Sequence, residues 1–396
     1  MAKIKIHLNG TDYNIDQSAL ADVMNNLKTH FSTAMAGTGA ALKFDGATYN
    51  IDATKLTAAT NNFISHLNTI AGSGMKTVVG GVEYGIDSSK VAGAIAGLDT
   101  LFGNLSEPTP SEGLVYTLNN DGVSYSVTGI GTCTDTEIAI ASEYKGLPVT
   151  SIGKEAFYCC SNLISVVIPA SVTSVSFRVF FGCTGLTSIT VASGNTKYHS
   201  AGNCVIETAT GKLVFGCKNS VIPADGSVTS IGNHAFGGCD LVSITIPDSV
   251  KSIGFEAFNC CYELTTVELG ANSQLTSIGG NAFNACDSLA SITIPDSVTV
   301  IDGSAFSGCL RLTTIAIPAG VKSISANTFY SSGLTSITIP AGVKSIGLYA
   351  FSYCLKLTSI VFSGTMDQWN AITKGLEWNS KVPATYVQCS NGQVKL

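Results

Sequence analysis

Charge is scarce in this chain. Only 12% of its 396 residues are Asp, Glu, Lys or Arg, against about 25% in an average soluble domain. The formal net charge is −6, and the 21 Lys and Arg residues are dispersed along the chain. A basic stripe is the signature of nucleic-acid binding. The sequence therefore predicts no nucleic-acid partner.

Long apolar runs are also missing. The composition is 45% hydrophobic, yet no apolar run approaches the roughly 18 residues of a membrane-spanning helix. The chain begins Met1-Ala-Lys-Ile-Lys-Ile and alternates like a strand, without the apolar segment of a secretory signal peptide. We therefore expect no membrane insertion and no signal peptide in this chain. For a virion or extracellular location, either a leader has been removed or the protein leaves the cell without one, for example inside a virus particle.

Enzyme motifs are absent as well. The five histidines stand in unrelated contexts, and no G-x-S-x-G, H-E-x-x-H or P-loop occurs. The 13 cysteines include no C-x2-C pair of the kind that binds zinc. We predict no catalytic residues, no cofactor site and no metal site.

What the chain does have is a repeat. The phrase V-T-S-I-G-x-x-A-F-x-x-C-x-x-L-x-S-I-x-I-P recurs about every 23 residues. A fixed period of about 20 to 50 residues marks a solenoid, in which each copy forms one coil. With a divergent coil counted from Val205, after a ten-residue insertion, the repeat predicts nine coils over residues 149–365. The other copies begin at Val149, Val172, Val228, Val250, Leu275, Val298, Val321 and Val343.

Two residue types recur at fixed places in the repeat and are predicted to form columns of the core. A buried thiol packs as a small hydrophobic group, so the cysteines are expected to be free rather than paired. The Phe column is Phe157, Phe180, Phe236, Phe258, Phe283, Phe306, Phe329 and Phe351. The Cys column is Cys160, Cys183, Cys239, Cys261, Cys286, Cys309 and Cys354, with Ser332 in one coil.

The first 105 residues carry a different repeat, of 35 to 36 residues in three copies. Each copy has a two-residue turn between alternating stretches, Asn9-Gly10, Asp45-Gly46 and Gly80-Gly81, and then apolar residues at helical spacing. We predict three β-hairpin-plus-helix modules over residues 1–105. They serve either in attachment or oligomerisation or as a plain structural extension.

The remaining segments join or close the two repeats. Residues 106–113 have linker composition. Residues 114–148 are predicted to form an N-terminal cap that contains a hairpin, since a solenoid needs closed ends. Residues 366–396 are predicted to form the C-terminal cap, with Trp369 and Trp378 as a lid or, alternatively, as a ligand-stacking site.

The long repeat closely resembles the BspA-like leucine-rich repeat, over about residues 114–396. The resemblance implies a curved leucine-rich-repeat β-solenoid and a non-catalytic surface for adhesion and protein binding, as in bacteria and some protozoa. The N-terminal modules and the missing leader depart from the secreted members. Together with a recognition solenoid, they look similar to virion fibres or decoration proteins of gut phages.

The expected function is therefore non-enzymatic recognition. We expect a phage virion fibre or decoration protein whose solenoid contacts protein or glycan ligands on a host or mucosal surface. The alternative is a bacterial cell-surface adhesin, and the third possibility is an architectural coat component. Residues 1–105 are the candidate contact for a homo-oligomer or a virion partner.

The candidate binding residues lie where the copies differ most, beside Ala-Phe and beside Cys. Tyr, Trp and Arg are enriched in binding hot spots, although neutral variation at solvated positions would look the same. The Ser and Thr residues of the strands are interpreted as structural. The candidates are Phe177, Arg178, Phe181, Phe255, Tyr262, Arg311, Tyr330, Tyr349 and Tyr353.

Overall fold

The computed structural model describes residues 108–396 in full and, before them, only the backbone of six strands. These strands form three antiparallel pairs. The pairs are β1 (Lys3–Leu8) with β2 (Thr11–Asp16), β3 (Ala41–Phe44) with β4 (Ala47–Asn50), and β5 (Lys76–Val79) with β6 (Val82–Gly85). The predicted helices of this segment lie outside the described residues. The chain divides into two compact units, Met1–Pro108 and Thr109–Leu396.

The second unit is a β-solenoid of about 11 turns, as the repeat predicted. Regular coils contain a long strand and a short strand, and each group forms three separate parallel sheets of successive strands. The long strands are β9 (Glu137–Ala139), β12 (Ser165–Ile168), β14 (Ser188–Val191), β19 (Ser243–Ile246), β21 (Thr266–Leu269), β23 (Ser291–Ile292), β26 (Ser336–Ile339), β28 (Ser359–Phe362) and β30 (Tyr386–Cys389). The short strands are β8 (Tyr125–Gly129), β11 (Leu147–Ile152), β13 (Ser174–Val175), β18 (Ser230–Ile231), β20 (Ser252–Ile253), β22 (Ser277–Ile278), β24 (Val300–Ile301), β25 (Ser323–Ile324), β27 (Ser345–Ile346) and β29 (Thr373–Lys374).

A hydrogen-bonded turn leads from each short strand to the Cys column, and we call this side of the solenoid the turn edge. Its backbone N–H groups donate to the next coil, as from Phe236 to Ala257 O at 2.7 Å. Two positions in each turn are left-handed, for example Glu256 (φ 53°) and Cys260 (φ 59°). The turn edge comprises residues 154–159, 177–182, 233–238, 255–260, 280–285, 303–308, 326–331 and 348–353.

The Phe column is confirmed. All its members are buried, and neighbouring rings stack with centroids between 5.0 Å, for Phe236 and Phe258, and 5.9 Å, for Phe306 and Phe329. The stack is interrupted after Phe180, whose ring meets Phe215 edge-on at 5.2 Å. These rings fill the side of the core beneath the turn edge.

The Cys column is confirmed with one exception, since Cys160 is only partly buried. All 13 cysteines lie in the described part of the chain and are free. The column thiols also donate hydrogen bonds, which the sequence did not indicate: Cys261 Sγ lies 3.0 Å from Phe236 O of the preceding coil. Burial raises the pKa of Cys183, Cys261 and Cys309 to about 12, so these thiols remain protonated and can act as donors.

The divergent coil differs from its predicted register. An antiparallel group, β15 (Tyr198–Ala201), β16 (Cys204–Glu207) and β17 (Lys212–Phe215), leads into it, and Leu213 pairs opposite Ile231. Counting 23 residues back from Val228 to Val205 was therefore wrong. The insertion is longer than ten residues. The coil is short because its turn has fewer residues than the turns of the regular coils. As a result the neighbouring turns meet directly, with Gly182 N donating to Gly237 O at 3.2 Å.

Both ends of the solenoid add strands to its sheets. The predicted N-terminal hairpin is β7 (Val115–Leu118) with β8, and the remaining elements are β10 (Glu143–Tyr144), α1 (Met366–Asn370) and β31 (Gly392–Lys395). Thr365 and Gln368 form a capping box that starts α1. Trp369 and Trp378 are buried, and the Trp378 ring meets Phe351 edge-on at 6.0 Å. They form the predicted lid, and the alternative of a ligand-stacking site is wrong because neither ring is open to solvent.

No helix in the described part of the chain is both long and apolar enough to cross a bilayer.

Candidate binding site on the turn edge

The candidate residues mostly lie on the turn edge and differ in exposure. Phe177 is 50% exposed, Phe255 42% and Tyr353 44%. Arg178, Phe181, Tyr330 and Tyr349 are partly buried on the same edge. Tyr262 and Arg311 are exposed but lie just beyond the edge, after the Cys column. The nine residues therefore do not converge on one site.

They separate into two groups. The first contains Phe177, Arg178, Phe181 and Phe255. Tyr262 lies beside this group, next to Cys260, and the hydrogen bond between the two side chains raises the pKa of Tyr262 to about 12. The second contains Tyr330 and Tyr353, whose ring centroids are 5.4 Å apart, together with Tyr349. Arg311 belongs to neither group. We name the first group, with the residues that contact it, the aromatic–ionic site.

The centre of the aromatic–ionic site is an ion pair between distant parts of the chain. Arg178 Nη2 donates to Glu256 Oε2 at 2.5 Å across 78 residues of sequence. His234 stands between them, with Nδ1 at 3.0 Å from the same Oε2 but without hydrogen-bond alignment. These three residues hold the same left-handed position in three turns of the edge. The cut-down turn of the divergent coil brings the first of these turns against the second.

Burial governs the electrostatics of this centre. The side chains of His234 and Glu256 are only 10% and 11% exposed, whereas that of Arg178 is 30% exposed. Desolvation lowers the pKa of His234 below its usual 6.5, although Glu256 acts in the opposite direction. The hydrogen bond to Glu256 raises the pKa of Arg178. Desolvation therefore favours the neutral form of the imidazole beside the Arg178–Glu256 pair.

Aromatic rings surround this centre. The Phe177 ring centroid lies 6.0 Å from that of His234, and the Phe255 centroid lies 5.6 Å from it on the other side. The Lys154 ammonium sits over Phe177 at 4.9 Å, and the Arg178 guanidinium over Phe181 at 5.2 Å. Phe177 and Phe255 nevertheless stay 50% and 42% exposed to solvent.

Three residues of this site, Asn233, His234 and Glu256, were not among the nine candidates. Asn233 and His234 occupy the same positions in the Val228 coil as Phe177 and Arg178 do in the Val172 coil, and Glu256 follows Phe255. Aligning the copies by column, rather than looking for unusual residues one by one, would have grouped them. The contact of His234 with a carboxylate could not be found from spacing, because it depends on the stacking of the coils.

The site is a patch on the surface of the solenoid rather than a deep pocket. Beneath His234 lies a cavity of about 10 Å³ between Phe180, Phe215 and Phe236, which is room for a single water molecule. In the described residues no three His, Cys, Asp or Glu side chains are grouped so as to hold a metal ion. The arrangement offers exposed ring faces beside paired hydrogen-bonding groups, which is chemistry suited to binding.

The long-strand face of the solenoid is different in character. Its outward residues are mostly Ser and Thr, as the alternation predicted, and Thr245, Thr293 and Thr338 are all exposed. Glu268 is the charged exception, and it accepts a hydrogen bond from Thr245 Oγ1 at 3.2 Å. This face is flat, polar and nearly uncharged.

Comparison with known proteins finds similar solved structures. Similar solved structures include a leucine-rich repeat protein from Bacteroides ovatus, with 23% identity over 71% of this chain and 70% of that chain and a TM-score of 0.49. A leucine rich cell surface protein from Faecalibacterium prausnitzii has 24% identity over 68% of this chain and 99% of that chain, with a TM-score of 0.26. No curated protein matches the chain.

The model of the BspA type leucine rich repeat region matches the chain in six copies, over residues 144–210, 214–332 and 268–372. These ranges follow the coils described above and cover more than half of the chain. The protein therefore belongs to the BspA-type leucine-rich repeat family.

Proposed function

We propose that this protein is a non-enzymatic adhesion protein that binds its surface ligand through the turn edge. One observation carries the proposal: Phe177, Phe255 and Tyr353 expose their rings on this edge, while the Phe column directly beneath it is buried. Exposed aromatic residues grouped with arginine are typical of binding surfaces. The family supports the same role, since its solenoids are typically non-enzymatic binding scaffolds.

The family also favours a location outside the cell. Our proposal for the placement is a virion fibre or decoration protein of a phage, with residues 1–105 as the attachment or oligomerisation segment. Its support is the set of three matched N-terminal repeats before the solenoid. A bacterial surface adhesin remains the alternative. Neighbouring capsid or tail genes, and an oligomeric mass for the isolated chain in solution, are expected for the virion placement only.

The experiment for adhesion measures binding of the purified protein to mucin-coated surfaces and to epithelial and bacterial cells. Two double variants address the turn edge, Phe177→Ala with Phe255→Ala and Tyr330→Ala with Tyr353→Ala. The matched control, Thr245→Ala with Thr293→Ala, alters the long-strand face by the same number of substitutions. We expect at least one edge variant to bind less and the control to bind normally. Loss of binding in the control variant alone would show that the ligand binds the long-strand face, and would refute the proposal.

A further inference from the structure

A row of three side chains crosses the aromatic–ionic site. Phe177, Asn233 and Phe255 hold the same position in neighbouring turns, so an exposed amide stands between two exposed rings. Asn233 Oδ1 accepts a hydrogen bond from Phe255 N at 3.0 Å. This bond fixes the orientation of the amide, and its Nδ2 donor has no partner among the described residues. The row thus presents an exposed ring, a hydrogen-bond donor and a second exposed ring, with the Lys154 ammonium over one face of Phe177.

The ion pair beneath the row adds a donor and an acceptor. Arg178 Nε is buried and has no hydrogen-bond partner in the described part of the chain. The Arg178 side chain as a whole is 30% exposed, so an acceptor atom of a ligand can reach its open part but not the buried Nε. The Glu256 carboxylate is bonded to Arg178 through Oε2, and the charges of the pair cancel. The site therefore suits a neutral ligand that both donates and accepts hydrogen bonds.

The shape of the site narrows the class of ligand. A protein anchor residue needs a pocket to fill, whereas the cavity here is about 10 Å³ and lies beneath the His234 ring. A flat ligand needs only a ring face on which to stack. Neutral sugars combine a flat apolar C–H face with hydroxyl groups that donate and accept at once. Phe177 and Phe255 are two coil steps apart, roughly 10 Å, which is wider than one pyranose ring.

We propose that the aromatic–ionic site binds a neutral oligosaccharide, with one sugar ring on Phe177, another on Phe255, and hydroxyl groups at Asn233 and the Arg178–Glu256 pair. This inference rests on the proposed adhesive function and names the ligand class for one part of the turn edge. The second aromatic group, Tyr330 and Tyr353, has no such ion pair and is not included.

The test is saturation-transfer NMR of the full chain with lactose, cellotriose, maltotriose, mannotriose and chitotriose. We expect transfer to the ring C–H protons of at least one of these sugars. Phe177→Ala and Phe255→Ala should each weaken that binding by between about 2-fold and about 10-fold, the usual range for loss of one aromatic contact. Both rings are half exposed, so these variants keep the core intact. Tyr330→Ala with Tyr353→Ala is the matched control and should bind the sugar normally.

Absence of transfer to all five sugars would overturn the inference, as would binding that survives both Phe substitutions. Neither result refutes the proposed adhesive function, because binding to cells and to mucin is measured separately with the same variants. Mucin before and after enzymatic deglycosylation distinguishes the source of the sugar. Binding lost on deglycosylation identifies a glycoprotein glycan, and sugar binding without mucin binding identifies a polysaccharide.

Discussion

Replacing Cys261 tests what the Cys column contributes. Its side chain is fully buried, and its thiol donates to Phe236 O at 3.0 Å. Cys261→Ala removes a sulfur atom worth about 1 kcal/mol of burial and leaves a small cavity that costs about 0.5 kcal/mol. The lost hydrogen bond adds about 0.5 kcal/mol, at the low end because Cys239 N still donates to the same carbonyl. The expected loss of stability is about 2 kcal/mol.

Cys261→Ser separates the hydrogen bond from the packing. A hydroxyl can donate to the same carbonyl, and Ser332 already occupies the equivalent place in another coil, buried and 3.2 Å from Cys354 Sγ. We expect Cys261→Ser to lose about 1 kcal/mol or less. The control is Cys260→Ala, on the turn edge, which should be neutral because Ala285 holds the equivalent position with φ 55°.

The assay is urea unfolding followed by far-ultraviolet circular dichroism, which reports on all coils. Tryptophan fluorescence is unsuitable, because Trp369 and Trp378 both lie at one end of the solenoid and coils can unfold separately. Equal midpoints for the Ala and Ser variants would refute the hydrogen-bonding role. An Ala variant as stable as the original would refute the packing role as well.

Three further outcomes are expected. Phe283→Ala should cost about 3–5 kcal/mol in urea unfolding, while Phe177→Ala, which removes an exposed ring, should cost far less. Iodoacetamide with mass spectrometry should label exposed Cys159 in the native protein, whereas Cys261 and Cys309, with pKa values raised to about 12, should react only after unfolding. Because burial lowers the pKa of His234 below 6.5, the unfolded chain binds more protons there, so this stability contribution should be complete above pH 6.5 and decline as the pH falls below it. His234→Asn, which suits φ 58°, should flatten that decline.

The core was predictable because every copy repeats the same inward residues. Eight aligned copies make Phe and Cys positions obvious as columns, and burial follows from the requirement that each coil cover its neighbour. The hydrogen bond that five of the column thiols donate to a Phe carbonyl was not predictable, because alignment shows which positions stack but not how their atoms are oriented.

The divergent coil shows where counting residues by the repeat period fails to give the correct register. Val205 stands at the right distance from Val228, but the chain forms the antiparallel strands β15 to β17 first and reaches the coil register only at Leu213. Periodicity assumes that an insertion leaves the rest of a coil at full length. Here the turn itself is shortened, and Gly216 lies against the Phe236 ring, where a Cβ would come within 1.9 Å of it. The contact of Arg178 with Glu256 depends on this shortening and was equally hidden.

The backbone of the turn edge gives a reason to favour recognition over neutral variation. The positions of Arg178, His234 and Glu256 are left-handed, a conformation that costs most residues about 1–2 kcal/mol. Asn and Gly avoid much of this cost, and Asn281 shows that the position accepts Asn. The ladder of hydrogen bonds between coils holds the turn whichever side chain is present. Variation without function should drift towards the residues that fit, yet the strained positions carry charged and aromatic side chains that group into a site. The proposed binding role accounts for this grouping of side chains.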